Sequence, residues 1–343
     1  CLDANTTANQ NTAVGYVALG ANSTGHSNSA VGHQVLDANT TGIRLTAFGH
    51  NALGGNTTGS NSTAIGTFAL QNNTTADSNT AVGYSAMLAN TTGTFNTAVG
   101  HEALYSNTGS NNTSLGYLAG RANTTGENNV YVGKFSGRSG TTGSGNVGVG
   151  NETFEASNTG SNNVAVGLQA LTANTSGYEN VAVGAGALVV NTTGFRNTAV
   201  GRQALDANTT GNSNVAVGYN ALSNHTQNNN IAIGYDAMKS STTGGQNTVV
   251  GDAAMRDGSG YIHCVAVGAE ALQDNSAHRN TAVGYHALKA NTSAAQNTAV
   301  GHTVLDANTT GAGNVGVGYA ALTASTTGVG NVCIGNYDGQ AIT

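Results

Sequence analysis

A glycine preceded by a small and then an aliphatic residue returns through the whole chain at an almost fixed interval, and this constrains the fold more than any other feature. It stands at Gly15 and recurs at Gly32, Gly49, Gly66, Gly83 and Gly100, and so on to Gly335, twenty copies in all. The step is 17 residues, except for 16 at Gly100–Gly116, Gly218–Gly234 and Gly268–Gly284. The idealised unit reads N-T-A-V-G-Y-x-A-L-x-A-N-T-T-G-x-x. A unit this short cannot enclose a core of its own, so it must stack on copies of itself.

Position by position, the unit assigns local structure. The residue before the marker glycine is always apolar, and the residue two places earlier is Thr, Val, Ile or, once, Ser29. The residue between them is usually small, mostly Ala, and this period-two alternation of β-branched residues is a strand pattern. Four places after the glycine a second apolar site recurs, broken only at Gly120, Gly137 and Gly339. The pattern predicts one interior column of Val166, Val183, Val200 and Val217, and another of Leu171, Leu188, Leu205 and Leu222. Asn-Thr-Thr-Gly closes the coil, because Asn and Gly accept the left-handed backbone of a tight corner. A second Asn precedes the marker glycine by four places in every unit except at Leu45, Ser62 and Cys264. Stacked once per coil, these residues would form an amide ladder. The three shortened units are expected to lose their residue in the corner.

These readings give an all-β fold, a parallel β-solenoid (β-roll) of about twenty coils of 16–17 residues. Residues 1–343 read as a single continuous array that begins and ends mid-repeat. Helical repeats are excluded by the absence of three-and-four apolar spacing. The absence of Pro suits ladders in which every backbone N–H takes part.

Only 8% of residues are charged and the formal net charge is −6, against roughly 25% charged residues in globular proteins. No Lys/Arg-rich stretch exists to neutralise phosphates, so nucleic acid is not an expected partner. The longest apolar run, Val181 to Val190, falls far short of the ~20 residues of a membrane-spanning helix. Cys1, Cys264 and Cys333 are too few and too scattered for a disulfide framework or a zinc site. A lipid-modified Cys1 is the minor alternative to an ordinary repeat residue.

Asn163-Val164-Ala165-Val166-Gly167 and Asn230-Ile231-Ala232-Ile233-Gly234 resemble the repeat of trimeric autotransporter adhesin heads. The full unit, with its N-T-T-G corner, is similar to the arrays of bacterial and phage tail-fibre-like proteins. The resemblance covers essentially the whole chain. It implies a left-handed roll, trimerisation and a place on a cell or virion surface.

Several strings imitate functional motifs. Gly143, Gly145, Gly148 and Gly311, Gly313, Gly316 match the dinucleotide fingerprint, but a strand of the repeat follows where a helix N-terminus is required, so no cofactor is expected. The residue after the marker glycine is often aromatic: Tyr16, His33, His50, Tyr84, His101, Tyr117, Tyr219, Tyr235, Tyr285, His302 and Tyr319. These form a candidate contact row, and His33 with His50 in adjacent coils is the one pairing with metal-ligand chemistry, a weaker reading than packing. No metal site is assigned. Corner asparagines match the N-glycosylation acceptor rule, giving candidates at Asn22, Asn39, Asn56, Asn90, Asn123, Asn174, Asn191, Asn208, Asn291 and Asn308. No triad or recurring carboxylate pair stands out, so the chain reads as a non-enzyme.

The leading expectation is a structural extracellular fibre or filament subunit. Its partners would be copies of itself, stacked head to tail or as a trimer, because neither end of the sequence shows a capping element. The alternative is an adhesin or tail-fibre shaft that binds surface glycans through the aromatic row. Ice binding is a minor alternative, because the strand offers one Thr per unit and often replaces it by Val or Ile.

Overall fold

A computed structural model describes residues 2–339. Cys1, and with it the lipid-anchor alternative, lies outside the described residues. Among these residues there are twenty strands of three residues each and no helix. The chain divides into two compact units, Cys1–Ser176 and Gly177–Thr343. The first carries strands β1 (Thr12–Val14) to β10 (Val164–Val166), and the second β11 (Val181–Val183) to β20 (Val332–Ile334). The architecture is the expected parallel β-solenoid.

Within each unit every strand pairs in parallel with the strand one coil away, at identical repeat positions. Thr12, Ala13 and Val14 lie against Ser29, Ala30 and Val31, and Thr198, Ala199 and Val200 against Val215, Ala216 and Val217. The shortened coils keep this register: Thr97 faces Thr113, Val215 faces Ile231 and Val265 faces Thr281. The corner absorbs the missing residue. Asn56 Nδ2 reaches the carbonyl three residues on, at Gly59, whereas Asn107 and Asn275 reach one only two residues on.

The core is thin, and its composition corrects one expectation. Val183 is 36% exposed, and Val166, Val200 and Val217 are partly exposed on the outer face. The fully buried strand residues are the small middle ones, such as Ala165, Ala182, Ala199 and Ala216. Period two fixes which residues share a face but not which face is inside. The interior is narrow because Leu171, Leu188, Leu205 and Leu222 fill it from the opposite wall, completely buried as expected. Only a methyl group fits between them and the strand.

Those leucines hold an unusual backbone. Leu188 and Leu205 have φ of 51° and 53°, and nearly every coil repeats this left-handed value at the same place. Such a conformation costs a non-glycine residue about 1–2 kcal/mol, and burying a leucine returns about 1.5–3 kcal/mol. The strained corner is further held by the ladder, with Leu188 N–H donating to the Ala204 carbonyl and Leu205 N–H to that of Ala221, both at 3.0 Å.

Where the leucine is lost, a neighbour fills the space. Gly120 and Gly137 flank Tyr131, the middle residue of β8 (Val130–Val132), whose ring is buried in the vacated core. In β9 (Val147–Val149) the middle residue is Gly148, against which the buried Phe154 packs.

Candidate functional site

Two buried amide ladders stabilise the corners, and the acceptor-motif asparagines form one of them. In the corner ladder Asn39 Nδ2 donates to Asn22 Oδ1, Asn56 to Asn39 and Asn73 to Asn56, each at 2.8 Å. The same amides donate to the carbonyl three residues on in their own corner, as Asn56 does to Gly59 and Asn73 to Ala76, both at 3.0 Å. The ladder breaks between Asn90, whose Oδ1 has no partner, and Asn107, which turns to Gly109 in a corner one residue shorter, and it resumes where Asn123 donates to Asn107 Oδ1 at 2.6 Å.

The expected ladder four places before the marker glycine also forms, with a different bond as its main link. Here Oδ1 accepts the backbone N–H of the next coil, as Asn79 does from Asn96 and Asn180 from Asn197, at 2.9 and 3.0 Å. Its Nδ2 reaches a corner carbonyl, as Asn79 reaches Gly93 at 2.8 Å.

The glycosylation candidates lie inside the coil. Asn22, Asn39, Asn56, Asn90, Asn174, Asn191, Asn208, Asn291 and Asn308 are fully buried and Asn123 is 2% exposed. A glycan on Nδ2 would occupy the core and displace the bonds that hold the corner. The sequence rule recognises Asn-Thr-Thr but is blind to which way the amide points.

The outer face of the strands is the exposed surface with a repeated chemistry. The residue that opens each strand, β-branched except at Ser29, and the apolar one that closes it both point outward, leaving Phe48 40%, Ile65 38%, Leu115 48% and Ile233 38% exposed. The aromatic row runs alongside. In the first unit Tyr16 stacks on His33 and His33 on His50, ring centroids 5.1 Å apart in both cases. The row then continues through Phe68, Tyr84, His101 and Tyr117 to Phe135, with neighbouring centroids between 5.1 and 6.1 Å. Phe68 and Phe135 were missed because they stand one place later in the repeat, after Thr67 and Lys134. The period-two strand pattern places no side chain there. In the second unit Tyr219 stacks on Tyr235 at 5.4 Å, and Tyr285, His302 and Tyr319 stack in turn at 5.0 and 5.1 Å.

This geometry limits what the row can do. His33 and His50 lie nearly parallel, 12° apart, so their rings stack face to face rather than converging on one ion. Among the described residues no group of three or more His, Cys, Asp or Glu is placed to hold a metal. Ring faces are largely taken by neighbouring rings, and the row offers solvent its edges and hydroxyls. A second small stack, Tyr178 on Phe195, has centroids 4.8 Å apart.

The fingerprint-like glycines are absorbed by the coil, since Gly148 and Gly316 are the middle residues of β9 and β19 (Val315–Val317). Cys264 and Cys333 are buried thiols, and burial pushes the pKa of each up. Charged residues pair mostly between neighbouring coils, as Arg138 with Glu155 at 2.9 Å and Arg196 with Glu179 at 2.8 Å. No helix among the described residues is long and apolar enough to cross a membrane. Neither the known protein-family models nor the curated proteins contain a match to this chain.

Proposed function

We propose that this chain is a structural subunit of an extracellular fibre or filament, assembled by stacking β-coils of one copy on those of the next. The observation that carries this reading is the identity of the coil-to-coil contacts. Within each unit the backbone register recurs from coil to coil, and the corner amide bonds and the buried alanine and leucine columns recur over most of the coils. A coil surface that binds one neighbour is equally suited to bind another copy, and a head-to-tail contact of this kind does not close on itself. The low charge and the neutral amides and hydroxyls of the corners suit a solvent-exposed structural material. Electron microscopy of the purified chain tests the reading. Unbranched filaments of one-coil width support it, and isolated particles at all concentrations reject it.

The second reading is an adhesin or tail-fibre shaft, in line with the resemblance of the repeat to those proteins. The exposed Tyr/His row favours it, with tyrosine hydroxyls and ring edges as the groups a surface glycan would meet. A glycan array with the native chain and with Tyr219→Ala/Tyr235→Ala separates the two, because only the shaft reading requires binding that the substitutions abolish.

A further inference from the structure

All-parallel sheets ordinarily have both faces covered, because their strands are apolar on both sides. Here the inner face packs on the leucine columns while the outer face lies open. At the outward strand positions of all twenty coils there is no Asp, Glu, Lys or Arg. The chain's few charges sit instead in the segments between strands. Near the end of the second unit the outer face has relief as well: Val317 and Ile334 form one wall of a shallow groove, Gly318 and Gly335 its floor, and Tyr319 and Tyr337 the other wall.

We propose that the outer face of each unit is a lateral interface between two copies of the chain, which pairs neighbouring filaments side by side. The proposal rests on the filament reading above. Three arguments commit the face to a second copy. First, the ridge repeats once per coil, and a partner matching it over many coils must share that period, as another copy does. Second, a surface without charge has no attraction for an acidic or basic partner, whereas two such surfaces meet without repulsion. Third, the area fits. Ten strands spaced about 4.8 Å apart, and a width of four residues, give roughly 560 Å² per unit. Two such faces bury about 1,100 Å², just below the ~1,200 Å² at which specific interfaces begin. One pair of units therefore holds weakly. Copies joined in series add their contacts, so filaments pair far more tightly than single chains do.

The test compares two sets of lysine substitutions in the full chain. Ile65→Lys and Val149→Lys charge the outer face of the first unit, and Ile233→Lys and Val300→Lys that of the second, each position 37–38% exposed. Thr58→Lys, Thr142→Lys, Thr210→Lys and Thr310→Lys add the same charge at exposed corners. Circular dichroism and melting confirm that both fold. Native and corner-substituted filaments are expected to appear as pairs and bundles that sediment at low speed. The face-substituted chain should form single filaments, its low-speed pellet reduced about tenfold or more, as a loss of only ~1.4 kcal/mol per pairing step would produce. Face-substituted filaments that bundle like the native ones, or native filaments that stay single, overturn the pairing and leave coil stacking intact. If no filament forms but light scattering shows dimers that the face set alone dissolves, stacking fails and the pairing stands.

Discussion

Asn230 donates through Nδ2 to Nε2 of His225 at 2.7 Å, inside a corner slot that an asparagine fills in most other coils. Since an amide nitrogen only donates, Nε2 is the bare nitrogen and the ring proton sits on Nδ1, which faces the Ser241 carbonyl at 3.3 Å. His225 is fully buried, and burial drives its pKa down from the ordinary 6.5 to about 4, against weaker opposing pulls from the Ser241 and Gly244 backbone. Between those two values the unfolded chain binds the proton and the folded chain does not. The neutral corner thus keeps its full stability above pH 6.5 and loses it as the pH falls toward 4, by about 3 kcal/mol at 1.36 kcal/mol per unit. Native-state hydrogen exchange of the amides near His225 should show this loss between pH 7 and 4.5. His225→Asn, which restores the usual corner amide, should abolish the pH dependence; an unchanged profile would show that the imidazole is not its source.

Gly201 shows why the marker residue is glycine. Its φ is +133°, and an added Cβ would stand 2.3 Å from the Gly218 carbonyl oxygen of the next coil. Gly201→Ala is therefore expected to cost more than the ~1–3 kcal/mol of backbone strain alone, because a carbonyl in the ladder must also move. Gly330 provides the contrast, with φ of +70° and nothing within 4 Å of an added Cβ. Other coils place Asn or Ser at that point with similar φ, such as Asn128 and Ser213. Gly330→Asn should leave the melting temperature nearly unchanged, and a comparable loss from both substitutions would refute the close-approach argument.

The inverted strand face gives the third expectation. Ala199 is fully buried whereas Val200 points outward. An aspartate at 199 would place an unpartnered carboxyl in a core one methyl wide, at several kcal/mol. Val200→Asp exposes its carboxylate and should cost under about 1 kcal/mol beyond the loss of strand propensity. Thermal melting of the two variants decides the matter, and the reverse order would put the valines inside.

Much of the coil was legible in the residues because it is written twenty times. The period, the strand, the corner, the interior leucine and the placement of the missing residue all follow from which residue types tolerate which backbone. What stayed hidden was orientation. Thr198-Ala199-Val200 alternates equally well with either face inward, and only the left-handed turn at Leu205, forbidding by ordinary propensity, places the leucine where it leaves room for Ala199 alone. The same blindness made buried corner amides such as Asn56 look like surface acceptors. The aromatic row was visible at Tyr16 and His33, and its continuity through Phe68 was not, because a one-place shift in sequence is bridged in space by a ring.

The last expectation tests whether the core is read correctly where the repeat departs from itself. The ring of Tyr131, 2% exposed, occupies the volume that leucines would fill at Gly120 and Gly137. An added Cβ at Gly137 would stand 2.6 Å from Cδ1 and Cε1 of that ring. Backbone conformation is no obstacle, since Gly137 has φ of 63° and Leu104 holds 51° at the corresponding place. Gly137→Leu should therefore destabilise through overpacking, by about 2–3 kcal/mol. Tyr131→Ala should cost about 3–5 kcal/mol by leaving a cavity. The double variant recreates the ordinary alanine–leucine coil, so it should be more stable than either single variant, with a coupling energy above about 2 kcal/mol. Denaturant titration of the four proteins measures this coupling. Additive losses would mean that Tyr131 and Gly137 do not compete for one space, and the volume exchange would have to be abandoned.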